Sequence, residues 1–120
     1  AQSLASGVYG LSNHLLDSPW PKLISARQRF SGALKSLPAS QPFFDILRDD
    51  EIVPDHQLPD TGVPLEWERR LSAIFVRSQD YGTRASTVVT VNTEKAIFFE
   101  ERSFGPNGQP LQSSVISTGV

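Results

Sequence analysis

Cysteine and methionine are both missing from this 120-residue chain. Without cysteine there is no disulfide, thiolate metal site or cysteine nucleophile in these residues, so a disulfide-stapled secreted fold has no support. The lack of methionine, even at position 1, leads us to expect a processed or partial chain. A basic excess is also missing: 11 Lys+Arg stand against 13 Asp+Glu, a net charge of −2. A phosphate-binding surface needs the opposite balance, so nucleic acid is not an expected partner. No apolar run approaches the ~20 residues that cross a bilayer, so no membrane span is expected. No basic stretch followed by an apolar one opens the chain, and the expected location is cytoplasmic.

What is present suits one modest core. Apolar residues make up 38% of the chain, and charged ones 20%. At this length one domain, or part of one, is the expectation. Residues 8–13 read as a short strand ending in a polar turn. Ser18 is placed to cap a helix with Pro19 and Pro21 in its first turn, where proline removes no needed donor. Trp20, Leu23, Ile24, Phe30, Leu34 and Leu37 then form an apolar stripe, with Lys22, Arg29 and Lys35 facing water. Ser40 is expected to cap a second short helix with Pro42 in its first turn, carrying Phe43, Phe44, Ile46 and Leu47. Residues 49–62 read as a long loop. A third helix is expected over residues 64–75, with Trp67, Leu71, Ile74 and Phe75 on one face.

From residue 83 the period changes to two. Strands are predicted over residues 83–92, 96–104 and 111–117. Asn107-Gly108 supplies the positive φ values of a tight hairpin. Helices followed by a β-meander predict an α+β fold with antiparallel sheet rather than α/β.

Few residues carry a chemical signal. Ser12, His14 and Asp17 are the types of a hydrolase triad, but a triad is assembled from distant segments, and no Gly-x-Ser-x-Gly elbow is present. A polar turn leading into a helix is the expected reading. Asp49, Asp50, Glu51, Asp55, His56 and Asp60 make an acid-rich loop, but its spacing matches no calcium loop, and a solvated loop is expected. Only His14 and His56 offer imidazole. No metal or other cofactor is expected. Arg84 opens an otherwise uncharged strand. Its guanidinium fork could hold a carboxylate or phosphate, or pair with a nearby acid such as Asp80, and the ion pair is the expected reading. Asn13, at a strand end, could donate to a developing oxyanion or cap a turn.

Four blocks then stand in order. They are Val8-Tyr9-Gly10-Leu11-Ser12-Asn13-His14-Leu15-Leu16-Asp17-Ser18-Pro19-Trp20-Pro21-Lys22, Leu58-Pro59-Asp60-Thr61-Gly62-Val63 with Glu68-Arg69-Arg70-Leu71-Ser72, Tyr81-Gly82-Thr83-Arg84-Ala85-Ser86-Thr87-Val88, and Glu101-Arg102-Ser103-Phe104. Together they resemble the NRDE family of transport and Golgi organisation protein 2-like proteins. The resemblance implies an N-terminal-nucleophile hydrolase architecture, a four-layer αββα sandwich. Its members begin with Met-Cys and carry an Asn-Arg-Asp-Glu string, and neither occurs here. The resemblance thus implies that residues 1–120 are a single domain or the C-terminal part of one, with the N-terminal part as the missing partner.

In such enzymes the first side chain attacks and its own amine is the base. Ala1 has no nucleophilic atom, so this chain alone is not expected to be catalytic. Two functions remain open. In the first, the intact protein hydrolyses an amide C–N bond, with Asn13 as oxyanion donor and Arg84, Ser12 and Trp20 binding substrate. In the second, it is a non-catalytic protein that binds and moves a lipid, an acyl-CoA or haem. For that ligand an apolar cleft is expected beside Trp20, Trp67 and the Phe-rich strands, with Arg84 at its mouth. The sheet is expected to lie beside the Tyr9 strand, with helices on one face and a bare apolar face opposite.

Overall fold

The computed structural model describes residues 3–12 and 19–118. Three helices precede a three-stranded antiparallel sheet: α1 (Pro21–Ala33), α2 (Gln41–Leu47), α3 (Leu65–Leu71), β1 (Ala85–Val91), β2 (Ile97–Phe104) and β3 (Pro110–Thr118). The sheet order is β1-β2-β3, a simple meander, so the expected α+β class holds.

The N-terminal strand is a correction. Residues 8–12 have no regular structure; the Tyr9 hydroxyl donates to the Ala5 carbonyl at 2.7 Å and ties the segment to itself. No strand therefore lies beside the meander from this segment among the described residues. What brings the segment to the helices is Gly10: a Cβ there would come within 2.5 Å of the Leu23 side chain.

Helix α1 starts at Pro21, the first helical position, where proline's fixed φ suits a helix. The expected Ser18 cap lies outside the described residues. The apolar stripe of α1 is only partly buried. Leu23 is buried and Phe30 packs edge-on against Phe43 at 5.2 Å, whereas Ile24, Leu34 and Leu37 are exposed. Periodicity marks which residues share a face, not whether a partner covers it. Helix α2 buries Phe43, Phe44 and Ile46 as expected. Ser40 precedes it, but its hydroxyl donates to Glu100 Oε1 at 2.8 Å and makes no cap. That bond, with Arg102 stacked 3.9 Å from the Phe44 ring centre, fixes α2 against the sheet.

Helix α3 ends at Leu71, earlier than the pattern predicts. The chain turns there because the Phe75 N–H donates to the Asp49 carbonyl at 2.7 Å, pulling residues 73–76 into the core. Phe75 is fully buried against Phe104, with ring centres 4.9 Å apart. Thr83 then closes a tight loop: its N–H donates to the Val76 carbonyl and its hydroxyl accepts from the Val76 N–H. Gly82 sits where a Cβ would meet that carbonyl at 2.6 Å, so no side chain fits.

The register gives the two sheet faces. Val88 pairs with Glu100 and Glu100 with Val115; Val89 pairs with Phe99 and Phe99 with Ile116. Opposite residues share a face, so Ser86, Val88, Glu100 and Arg102 look towards α2. Val89, Val91, Ile97 and Ile116 look the other way, and all four are exposed. The acid-rich loop is not merely solvated: Asp49 pairs with Arg29, Asp50 with Arg77, and Asp55 with Arg69 through two bonds of 2.6 and 2.9 Å. The guanidinium of Arg69 holds the Asp55 carboxyl below its usual range.

Candidate functional site

The N-terminus of α1 and the buried side of α3 leave a cleft of about 380 Å³. Trp20, Lys22, Leu71 and Tyr81 form its walls, with Glu68 and Ser72 at its base. Glu68 on α3 and Ser72, which caps its C-terminus, lie one turn apart, so both face inward. Glu68 is 6% exposed and Ser72 5%, unusual burial for such groups. Both are satisfied. Glu68 Oε1 accepts from the Thr61 N–H at 2.9 Å and its hydroxyl at 2.6 Å, which pins the 59–62 loop as one wall. Ser72 Oγ accepts from the Val53 N–H at 2.9 Å and donates to the Arg69 carbonyl at 2.6 Å. Tyr81 is held edge-on by Trp67 at 5.3 Å, and Arg70 stacks on the other ring of that pair.

Lys22 is the group that polarity alone misplaces. Its Nζ donates to the Leu71 carbonyl at 2.7 Å, across 49 residues of sequence, rather than facing water. Burial lowers its pKa from the usual lysine value. The same side chain borders two further hollows. One runs past Ser25, Asp49, Glu51 and Val53, and the other past Gly10, Ser12 and Leu23.

The predicted site residues do not all meet. Trp20 lines the main cleft and also the hollow that Ser12 borders. Ser12 Oγ is buried and has no hydrogen-bond partner among the described residues. Asn13, like His14 and Asp17, lies outside the described residues. Arg84 is exposed and precedes β1. It borders a separate recess of about 30 Å³, which shares Tyr81 with the main cleft. Arg84 makes no ion pair among the described residues; Asp80 turns to Arg70 at 3.8 Å and accepts from Ser78. The expected Arg84–Asp80 bridge is therefore absent. The Phe-rich strand lines another hollow, of about 340 Å³, beside Pro38 and Ser40, so the single cleft expected between it and Trp20 is two. No group of three or more His, Cys, Asp or Glu is poised to hold a metal among the described residues. No helix among them is long and apolar enough to cross a membrane.

Glu68 and Ser72 were discoverable in sequence as polar residues one turn apart beside Trp67 and Leu71. Lys22 had only its place next to Trp20 and Pro21 as a signal.

Residues 1–106 match the family described as Transport and Golgi organisation 2. The Transport and Golgi organization protein 2 homolog of Bos taurus is 37% identical over 113 residues, covering 83% of this chain and 40% of that protein. The Mus musculus and Homo sapiens homologs are each 35% identical, over 113 and 109 residues, with the same coverage. The chain thus spans about 40% of the length of these curated relatives.

Proposed function

This chain belongs to the Transport and Golgi organisation 2 family, and on that premise we propose that it contributes a small-molecule binding compartment to the intact protein. The ligand is amphipathic, in the class of lipids, acyl-CoA or haem, and the setting of this reading is the cytoplasm. The observation that carries it is the cleft of about 380 Å³, where two aromatic side chains and Leu71 face one half-buried ammonium. Apolar walls with a few placed polar groups are what such a ligand requires. The test is titration with acyl-CoA and with haem. Trp20 fluorescence, in a Trp67→Phe background, should respond saturably, and Trp20→Ala, read by calorimetry, should weaken binding by about tenfold or more. No saturable binding of either ligand ends this reading.

A second reading keeps the hydrolase fold. The bare sheet face at Val89, Val91, Ile97 and Ile116 suits a second sheet, as in an αββα sandwich, supplied by the remainder of an intact protein such as the longer relatives. Ser12 Oγ, buried and without a partner among the described residues, favours a reacting group nearby, with Asn13 as oxyanion donor and Arg84 as clamp for an anionic substrate group. In this reading the intact protein cleaves an amide C–N bond with an N-terminal cysteine. Its Cys→Ala variant should lose turnover of acyl-amides, and Ile116→Lys should impair its folding. Undiminished turnover without the cysteine rejects the hydrolysis; an unaffected fold with Ile116→Lys rejects the sandwich.

A further inference from the structure

We propose that Lys22 is the anion-docking group of the main cleft, so that its ligand presents an anionic group such as a carboxylate on an apolar body. This rests on the reading of the cleft as a binding compartment. Three observations support it.

The first is position. Lys22 borders the main cleft and both adjoining hollows, and Trp20 and Tyr81 line the main cleft with it. The second is that no counter-charge is built in among the described residues. Lys22 makes no ion pair among the described residues, and its bond to the Leu71 carbonyl leaves the positive charge uncompensated. The titratable groups that line the same spaces are Glu68 and Tyr81 from the α3 side and Asp49 and Glu51 from the loop after α2. Glu68 is bound to Thr61 and Asp49 to Arg29 at 2.6 Å; Glu51 lies across the adjoining hollow. The third is direction: desolvation alone lowers the Lys22 pKa, with no acid offsetting it. A desolvated cation whose hydrogen-bond partner is a neutral carbonyl gains most from a ligand that brings an opposite charge.

The sign of the pH dependence follows. An anion favours the ammonium and raises the lysine pKa back, so binding takes up protons as the pH approaches the lowered value. Affinity falls as the pH rises through it.

The experiment uses 2-naphthoate and its neutral counterpart 2-naphthylmethanol as probes of the folded protein, with calorimetry in buffers of different ionisation enthalpy. We expect naphthoate to bind about tenfold or more tightly than the alcohol, with proton uptake at alkaline pH. Lys22→Met should erase that preference while leaving the alcohol bound, which also shows that the variant is folded. Equal binding of the two probes, or a naphthoate preference that survives Lys22→Met, overturns the assignment of Lys22 but not the compartment. Failure of both probes to bind overturns both.

Discussion

Replacing Phe75 by alanine is expected to lower the unfolding free energy by about 3–5 kcal/mol, the largest loss at any single position considered. The ring is 0% exposed, and it sits where three parts of the chain converge. Its edge meets Phe104 at the end of β2, 4.9 Å between centres and 88° between planes. The Arg48 guanidinium from the end of α2 lies 4.6 Å from the Phe75 ring centre and 4.8 Å from that of Phe104. Arg48 also donates to the Gly108 carbonyl at 3.1 Å, so the cation that stacks on the aromatic pair holds the β2–β3 turn as well. Removing the ring opens a cavity and strips a partly buried cation of one of its two aromatic faces. A small domain commonly has about 5–15 kcal/mol in total, so the loss is a large fraction of its stability. Urea denaturation followed by circular dichroism measures it. Phe30→Ala is the control: that ring is 43% exposed, and its loss should cost much less. A Phe75→Ala cost under about 1 kcal/mol would remove Phe75 from the centre of the core.

Sequence reading finds Phe75 apolar and in phase with Trp67 and Leu71, but assigns it to a helix. The helix stops because the Asp49 carbonyl, 26 positions back, takes the Phe75 N–H. That competition between a local and a distant acceptor leaves no mark in a local pattern. The same division runs through the molecule. The β-meander is legible because period-two alternation is a local property, and α2 because its apolar residues are adjacent. Lys22 reads as a solvent-facing charge because only the Leu71 carbonyl and the walls of the cleft say otherwise. Glu68 is buried because Thr61, in a loop, satisfies its carboxylate. The stripe on α1 is read correctly as a stripe, yet four of its members, Ile24, Phe30, Leu34 and Leu37, are exposed. Helix phase tells which residues would be covered together, and the covering element is encoded elsewhere.

The turn at residues 106–108 combines both kinds of information, and Gly108→Ala tests them together. Asn107 has φ 56° and Gly108 φ 72°, the left-handed backbone that the Asn-Gly pair predicts. Asn107 is exposed, and its N–H reaches the Ser78 carbonyl whatever side chain it carries. Asn107→Ala should therefore cost about 1 kcal/mol, the penalty of a left-handed alanine. Gly108 is buried, and a Cβ there would stand 2.9 Å from Phe75 Cε1 and 3.3 Å from Arg77 Nε. Gly108→Ala should cost about 2–5 kcal/mol, combining that backbone penalty of about 1–2 with about 1–3 for overpacking. The two contributions separate in a double-mutant cycle with Phe75→Leu, which replaces the flat ring by a smaller, more adaptable side chain. If contact with the ring is the larger cost, Gly108→Ala should be cheaper by about 1 kcal/mol or more in the Phe75→Leu background, the coupling expected of residues in contact. Strict additivity would mean that contact with the Phe75 ring does not select glycine there, leaving the left-handed backbone and the Arg77 contact as its causes.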